Sequence, residues 1–392
     1  MLRFTHYTLL TREGAIYIAL IALLLVGALM RQINLLVGLY GMLAGPIMLS
    51  WGLSRRTLRQ LSARRKLPES VVAGEPFTVT VEMKNLRTRL SSWAVVAQDR
   101  VQREGRGMSG WKPTMLLSHI RPGETQHETY RGQLTRRGRY RFGPLRVATR
   151  FPFGLMRTTT SLAVSDELVV TPRLGRLTRG WRQRLDQALE SGGQGKQRRQ
   201  ARDGDFFGLR EWRSDDSRRS IHWRSSARRQ TLVVRQYEQS MRKEVTIVLD
   251  LWQPQRPSAV EEENVELAVS FAASLVGDLA RGGGATIRVA IAGAEAVDLS
   301  GPVSPAFVAS IQQSLGTVEA TYEATFPPVF SKVLDTVRPG TALVVVTTRA
   351  HDWSRLCEAG SGDPSPVRSF WRDRMIVVDS SSNKLNEYFD VA

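Results

Sequence analysis

The stretch Glu244–Asp250, which reads EVTIVLD, decides the fold class of the C-terminal part of this chain. Its run of apolar and β-branched residues is typical of a strand that is buried on both faces. Residues 261–280 follow with apolar side chains at helical spacing. Three further apolar runs occupy residues 286–292, 342–347 and 375–378. Because strands alternate with helices, we predict a largely parallel, doubly wound sheet over residues 241–392.

The segment 204–240, directly before this domain, concentrates arginines, carboxylates and two indoles. It reads GDFFGLREW at 204–212, DDSRRSIHWRSSAR at 215–228 and QYE at 236–238. Guanidinium groups bind carboxylates through bidentate, charge-assisted hydrogen bonds, so this mixture predicts a half-buried ionic network. The network either pins neighbouring domains together or presents a surface to a protein partner. Its predicted members are Arg210, Asp216, Arg218 and Arg228, and the candidate site is completed by His222, Trp223 and Ser226.

Catalytic chemistry has little support in this segment. His222 and Ser226, with Asp216 nearby in sequence, are the residue types of a hydrolase triad. No GxSxG elbow or other nucleophile context accompanies them. The glycine-rich stretch 191–200 also lacks the GxxxxGK[ST] spacing that wraps phosphates. We therefore expect no enzymatic activity and no cofactor.

Residues 68–179 carry short alternating runs instead of helical spacing. Apolar residues alternate with polar ones from Phe77 to Met83, which predicts a half-buried strand. Turn-forming sequences recur at residues 73–75, 121–124 and 142–144. These signals predict a small antiparallel β-sandwich. The polar, basic and glycine-rich residues 180–203 are predicted to form a flexible connector between this domain and the 204–240 segment.

Several of these stretches together resemble the DUF58 family of bacterial membrane-anchored proteins. RGRYRFGPL at 137–145 and FPFGL at 151–155 resemble its RGxYxxGPL and DPFGL motifs, although Phe151 stands where the family often has aspartate. Residues 206–228 resemble its signature, FxGLRxYxxGDxxRxIxWxxSAR. Trp212 replaces the usual tyrosine and Asp215 the usual glycine, which leaves Asp216 as the matching aspartate.

This resemblance implies a C-terminal domain similar to a von Willebrand factor A (vWA) domain, and a partner of the MoxR-type AAA+ ATPase class. Asp250 then stands where such domains place their first metal-binding aspartate. They complete the site with a DxSxS loop, because Mg²⁺ needs hard oxygen ligands. Here Trp252 and Pro254 replace both serines. We predict that no metal binds, and Asp250 is the one candidate ligand that the loop retains. The DSSSN sequence at 379–383 indicates a loop or helix cap instead.

Two apolar stretches near the N-terminus predict a transmembrane helical hairpin over residues 15–53. As helices, Ala15–Met30 and Ile33–Leu53 span roughly 24 and 31 Å, close to a hydrocarbon core of about 30 Å. A cleaved signal peptide explains only the first stretch. Arginines in residues 1–14 and the basic juxtamembrane segment 54–67 flank the hairpin, so both ends are predicted to face the cytoplasm. We expect a multi-pass plasma (inner) membrane protein with cytoplasmic soluble domains.

The formal charge of +18 is distributed unevenly along the chain. The part up to Gln236 carries +25 and the remainder −7. Arginine-rich segments such as 131–150 permit contact with anionic lipid or nucleic acid. No RNP, zinc-finger or helix-turn-helix pattern is present, so nucleic acid is not the expected partner. The single cysteine, Cys357, excludes an intramolecular disulfide and a multi-cysteine metal site.

Two hypotheses about function follow from these features. The first is a membrane-tethered, non-enzymatic adaptor that binds a protein partner, with lipid contacted by the hairpin and the 54–67 segment. The alternative is a basic membrane-surface or nucleic-acid binding protein that uses the arginine-rich segments. In both cases the expected fold is a membrane-anchored α/β plus β chain. Its parts are an N-terminal transmembrane helical hairpin, a small antiparallel β-sandwich and a C-terminal doubly wound vWA-like α/β domain.

Overall fold

The computed structural model of the chain divides into two compact units. The first unit is Met1–Thr171 and the second is Pro172–Ala392. Residues 194–203 of the predicted connector, together with Cys357, lie outside the described part of the chain. The described residues are 7–31, 33–105, 110–193, 205–214, 216–238, 243–338, 340–353, 356, 371, 375–382 and 385–390.

Two long apolar helices occur near the start of the first unit. Helix α1 covers Arg12–Arg31 and helix α2 covers Asn34–Leu58. Both are long and apolar enough to cross a membrane. Only 17% and 6% of their most apolar windows are buried, whereas a core helix of a soluble domain is mostly buried. The predicted hairpin over residues 15–53 therefore corresponds to two helices whose apolar side chains are largely uncovered by protein.

Within the described residues, twelve strands complete the first unit and form three sheets. In chain order the strands are β1 Tyr7–Leu10, β2 Leu61–Lys66, β3 Val71–Val72, β4 Pro76–Asn85, β5 Ser92–Gln98, β6 Val101–Arg103, β7 Thr114–Ile120, β8 Thr125–Gln133, β9 Gly138–Phe142, β10 Leu145–Thr149, β11 Met156–Leu162 and β12 Asp166–Thr171. The sheet orders are β1-β11-β10-β5-β7, β2-β4-β8 and β3-β12-β9-β6. The described strand pairs of this unit are antiparallel, apart from the parallel pair β3 and β12.

These sheets enclose one apolar core. The predicted alternation from Phe77 to Met83 is confirmed, because β4 buries every second residue of that run. Strand β2 lies inside the segment predicted to be juxtamembrane, 54–67, and β1 precedes the hairpin. The β domain therefore takes strands from outside the predicted range 68–179. The sequence of β2 is rich in positive charge and therefore indicated a solvated segment. One of its arginines, Arg65, is nevertheless buried in the core.

Arg65 forms a fully buried ion pair with Asp99. Its Nε donates to Asp99 Oδ2 at 2.8 Å and its Nη2 to Oδ1 at 2.7 Å. The Tyr130 hydroxyl donates to the same carboxylate at 2.7 Å. Burial, and then the hydrogen bond to Asp99, raise the pKa of Tyr130 well above its usual range. The geometry satisfies both carboxylate oxygens inside an otherwise apolar core.

The second unit contains a small two-stranded module and an α/β sheet. In chain order its described elements are β13 Arg176–Leu177, α3 Arg179–Gly193, β14 Asp205–Glu211, a 3-10 turn Arg218–Ser220, α4 Trp223–Arg229, β15 Val233–Glu238, β16 Glu244–Asp250, α5 Ala259–Gly282, β17 Thr286–Ala292, β18 Val297–Pro302, α6 Pro305–Thr317, α7 Phe326–Thr336, β19 Ala342–Thr347, β20 Ile376–Asp379, α8 Leu385–Tyr388 and β21 Phe389–Asp390.

The α/β sheet has the strand order β18-β17-β16-β19-β20. Strands β17, β16, β19 and β20 are parallel, and β18 adds an antiparallel edge. Helices α5 and α6 pack on one face, where Val265 and Ile311 share a buried cluster with Ile287. Helix α7 packs on the other face, where Phe330 shares a second buried cluster with Val345. The predicted strand at 244–250 is therefore the centre of a sheet covered on both faces, as its continuous apolar sequence requires.

The first part of the predicted flexible connector is instead helix α3. Trp181 and Leu185 are buried in the core on the α5 face of the sheet. These residues are four positions apart and lie on one side of a helix, so they anchor it. The surrounding arginines and glutamines made the segment resemble a solvated linker. Strand β13, just before α3, pairs with β21 through Arg176–Asp390 and Leu177–Phe389.

Candidate functional site

The segment 205–238 folds into a compact hairpin, the signature module. Strands β14 and β15 pair antiparallel, with a bulge between Phe206 and Gly208. The connection between them is held against β15, because His222 N donates to Val233 O at 2.8 Å and Trp212 N donates to Leu232 O at 2.8 Å. The strands and the short helix α4 thus form a defined scaffold for the candidate residues.

Two of the predicted network members, Arg210 and Asp216, form an ion pair in the module. Arg210 donates from Nη1 and Nη2 to the two oxygens of Asp216, each at 2.6 Å, and Arg213 N donates to Oδ2 at 2.9 Å. The hydrogen bonds from Arg210 hold the pKa of the Asp216 carboxyl below its ordinary value. The pair closes the turn after β14, since its partners are six residues apart.

The other two predicted members, Arg218 and Arg228, do not join this network. Both side chains are exposed, and neither forms an ion pair with another described residue. Arg218 begins the 3-10 turn, and Arg228 lies on the outer side of α4, away from the buried Ser226. Among the described residues, the predicted four-residue network is therefore corrected to an ion pair between Arg210 and Asp216, without Arg218 and Arg228. Residue type alone could not show which arginines face inward.

His222 and Ser226 have structural contacts. The ring of His222 caps α4, with Nδ1 lying 2.8 Å from Ser225 Oγ and 3.3 Å from Ser225 N. The buried hydroxyl of Ser226 accepts from Val233 N at 2.9 Å and donates to His222 O at 3.1 Å. The structure thus brings the His222 ring to Ser225 and leaves the Ser226 hydroxyl bonded to the backbone. These contacts join α4 to β15.

Trp223, by contrast, faces solvent and exposes 66% of its surface. The arginines that share helix α4 with it are also exposed, and together they define the Trp223 surface: Trp223, Arg224, Arg228 and Arg229. Helix α4 therefore exposes one indole and three guanidinium groups, and tryptophan and arginine are among the residue types most often found as hot spots at protein interfaces. The interior contacts of the module therefore hold α4 in place, and α4 presents an apolar and cationic surface to solvent.

We expect Asp216→Asn to loosen the signature module and Arg218→Ala to leave it unchanged. The first change weakens the pair with Arg210, at a cost of about 1–3 kcal/mol, whereas Arg218 is exposed. Hydrogen exchange measured by mass spectrometry on peptides from 205–238 tests this. Faster exchange in both variants, or in neither, contradicts it.

The same pair has a defined pH dependence. Because the pKa of folded Asp216 is lowered, its stabilisation is present above the ordinary value of 3.8. It is lost as the pH falls below 3.8 and through the lowered folded pKa. In the parent protein, acid should therefore destabilise the module by protonating Asp216. This contribution to the pH dependence of hydrogen exchange in peptides from 205–238 should be absent in Asp216→Asn.

A second cluster lies at the carboxyl end of β16, around Asp250. Its carboxylate is buried, and Oδ2 lies 2.6 Å from His351 Nε2, 3.1 Å from Arg349 Nε and 3.2 Å from Thr347 Oγ1. The partners arrive from the end of β19, which is parallel to β16 and ends at the same edge. The sequence TTRAH at 347–351 was the signal for them, but it lies about a hundred positions downstream.

The Asp250 cluster does not fit a magnesium ion. Mg²⁺ requires several oxygen ligands, whereas Oδ2 of Asp250 is already bonded to a guanidinium and an imidazole. Among the described residues no group of three histidine, cysteine, aspartate or glutamate side chains could hold a metal. Asp379, in the other oxygen-rich stretch, accepts hydrogen bonds from the backbone and hydroxyl of Ser381, which is a local cap.

Aromatic side chains surround this cluster. The Arg349 guanidinium lies 4.8 Å from the ring centroid of Trp252, whose Nε1 donates to Tyr322 O at 3.0 Å. The ring of His351 stacks on Phe326, with centroids 4.9 Å apart. Trp252 thus packs on a cation, at the position where a DxSxS loop would have its first serine. The loop is closed by side-chain contacts that need no metal.

Comparison with known proteins gives one family match. A family model described as "Protein of unknown function DUF58" matches residues 208–305. The DUF58 match begins at Gly208 in the signature module and extends through β18 to the first residue of α6. It therefore supports the resemblance stated from the motifs. No curated protein sequence matched the chain.

Solved structures give only partial likenesses. The CARDB domain of PF1109 from Pyrococcus furiosus is 17% identical over 28% of this chain and 94% of that chain, with a TM-score of 0.19. A superoxide reductase (neelaredoxin) from Ignicoccus hospitalis is 15% identical over 28% and 80%, with a TM-score of 0.19. A β-glucosidase from Listeria innocua is 18% identical over 28% and 16%, with a TM-score of 0.21. At these TM-scores none of them informs function.

Proposed function

We propose that this chain is a membrane-anchored, non-enzymatic adaptor whose signature module binds a protein partner. The observation that carries the proposal is the Trp223 surface, which lies inside the span matched by DUF58. A large exposed indole on a small, internally bonded scaffold has no packing role in the described module. Tryptophan and arginine side chains are the most frequent hot spots of protein interfaces.

The chemistry of the Trp223 surface indicates the kind of partner. Arg224, Arg228 and Arg229 favour an acidic patch with an apolar depression for the indole. The DUF58 resemblance implies a MoxR-type AAA+ ATPase, and we propose that class as the partner. The parallel sheet with helices on both faces supports a vWA-like second unit, doubly wound around β16. The closed Asp250 cluster supports binding that does not depend on a metal.

The hairpin supplies the anchor in this proposal. Helices α1 and α2 expose their apolar side chains, and arginines lie at the outer ends of both. Positive flanks are retained on the cytoplasmic side, so we propose that both units lie in the cytoplasm below the plasma membrane. The juxtamembrane arginines Arg55, Arg56 and Arg59 are exposed and would contact anionic headgroups.

Trp223→Ala is expected to weaken binding to a purified MoxR-type AAA+ ATPase from the same organism by about tenfold or more, the loss typical of a hot spot. Binding is measured with full-length protein in lipid nanodiscs by biolayer interferometry. Trp111→Ala is the matched control, because that indole is also exposed but belongs to the first unit. We expect this control to bind like the parent protein.

Charge reversal tests the acidic character of the partner. Arg228→Glu should slow association and reduce its salt dependence, since it changes an exposed cation. Unchanged affinity of Trp223→Ala, or no binding by the parent protein, would refute the proposed interaction. Binding of DNA or RNA oligonucleotides that is lost in Arg228→Glu would instead support the nucleic-acid alternative.

A further inference from the structure

One surface of the first unit lies beside the outer end of α1. The turn 150–155 follows β10, and its backbone touches the start of the helix: Thr11 Oγ1 donates to Gly154 O at 2.7 Å, and Thr11 N donates to Leu155 O at 3.1 Å. A Cβ at Gly14 would collide with Leu155 O, so the turn packs directly on the first helical turn of α1. The 150–155 turn is therefore level with the end of the first apolar helix.

The same depth is reached by strand β1 and by the last turns of α2. Thr158 Oγ1 in β11 donates to Ser54 Oγ at 2.9 Å, and Arg55 Nε donates to Thr8 Oγ1 at 3.3 Å. The Arg55 guanidinium lies 4.3 Å from the ring centroid of the exposed Trp51. Tryptophan and arginine at a helix end mark the headgroup region of a bilayer. If α2 spans the membrane, β1 and the 150–155 turn lie at that region.

Large apolar side chains are exposed at this level. Phe153 at the tip of the turn exposes 54% of its surface, Leu9 in β1 exposes 58%, and Trp93 at the start of β5 exposes 44%. The Trp93 ring stacks on His119 and Phe151, with centroids 3.9 and 6.0 Å apart. Leu9, Trp93 and Phe153 are not members of the buried apolar core of the unit.

Arginines alternate with these apolar residues. Leu9 is the cross-strand partner of the exposed Arg157, and Arg150 and Arg12 flank the turn and the helix start. Glu13 is the neighbour of Arg12 in sequence, but the three exposed arginines Arg12, Arg150 and Arg157 outnumber it, so these residues carry a net positive charge. Exposed apolar and aromatic tips among arginines are the composition of proteins that insert into an anionic bilayer interface.

We propose that Leu9, Trp93 and Phe153, with Arg150 and Arg157, form an interfacial membrane contact of the β-sandwich. Its ligand is the headgroup and upper acyl region of an anionic phospholipid bilayer. This contact rests on the proposed membrane hairpin, but is separate from it. It restrains the orientation of the sandwich against the bilayer, because it adds contacts beyond those that the two helices make.

The test measures the depth of labelled side chains in nanodiscs. In a Cys357→Ser background, Phe153→Cys or Leu9→Cys is labelled with the fluorophore NBD in full-length protein. Quenching is measured with lipids that carry a nitroxide near the headgroup. Thr114→Cys is the control, since Thr114 is exposed and pairs with Gln98 at the other end of the same sheet, about 20 Å along β7 from Ile120.

In discs containing phosphatidylglycerol we expect quenching at positions 153 and 9 to be at least twice that at position 114. Equal quenching at all three positions would overturn the interfacial contact. A blue-shifted but unquenched label at position 153 would also overturn it, because the side chain would then be covered by protein. Quenching that is the same in pure phosphatidylcholine would overturn the assignment to anionic lipid.

A separate measurement reports on the hairpin alone. Full-length protein should remain in the membrane pellet after alkaline carbonate extraction. Release by carbonate would refute the spanning hairpin, and with it the membrane anchor of the proposed function. Retention in the pellet combined with equal quenching would refute only the interfacial contact of the sandwich.

Discussion

Arg65→Met is expected to lower the free energy of unfolding of the first unit by about 3–5 kcal/mol. The substitution leaves Asp99 as a buried carboxylate without its cationic partner, inside a core that offers only the Tyr130 hydroxyl and the Arg100 backbone N–H among the described contacts. The side chains of Arg65 and Asp99 are only 1% and 0% exposed, so solvent does not reach Asp99 in the folded parent protein. Chemical denaturation of the detergent-solubilised full-length protein, followed by tryptophan fluorescence, measures the effect.

The neighbouring residue provides the control for this result. Lys66 also forms an ion pair from β2, with Glu82, but 60% of its side chain is exposed. Lys66→Met should therefore change the free energy of unfolding by less than about 1 kcal/mol. Similar effects of the two substitutions would mean that the Arg65 pair contributes no more than a surface ion pair.

Asp250→Ala should have the second large effect and lower the free energy of unfolding of the second unit by about 3 kcal/mol. It removes the carboxylate that both His351 and Arg349 contact, and His351 is nearly buried. The control is Asp298→Ala at the edge of the same sheet, where the pair with Arg288 is partly exposed. Its cost should be about 1 kcal/mol. Chemical denaturation measures both variants. Equal free energies of unfolding for Asp250→Ala and Asp298→Ala would contradict a central role for the Asp250 cluster.

Isothermal titration addresses the chemistry of the same cluster. Because Asp250 already bonds to a guanidinium and an imidazole, we expect no stoichiometric binding of Mg²⁺ or Mn²⁺ and unchanged partner capture in EDTA. The contrary outcome is metal binding that is abolished in Asp250→Ala, together with partner capture that is lost in EDTA. It would show that ligands come from elsewhere in the chain.

The parts of the fold that follow one periodicity could be predicted from the sequence. The alternation from Phe77 to Met83 and the apolar strand Glu244–Asp250 each reflect a single environment along the whole element. Strand β2 and helix α3 could not be predicted in this way. Their buried residues are few and stand among arginines, so local composition indicated solvated segments. Tertiary contacts decided their structure.

The candidate site was predictable only where its partners are close in sequence. Arg210 and Asp216 are six positions apart, and a turn brings them together. Arg349 and His351 reach Asp250 because two parallel strands end at the same edge of the sheet, a contact that no local pattern encodes. The exposure of Arg218 depends on which side of a short turn faces β15, and the packing of the whole module determines that side.

The pairing of β13 with β21 affects when the second unit can fold during translation. Leu177, near the start of that unit, pairs with Phe389, more than two hundred positions later in the chain. Strand β13 therefore gains its partner only after Phe389 has been translated. Trp181, in the helix that follows, packs edge-on against Tyr388. The ribosome must therefore have translated the chain as far as Asp390 before β13 and β21 can pair. The described strand pairs of the first unit involve no residue beyond Thr171, so that unit can assemble while the second is still being translated.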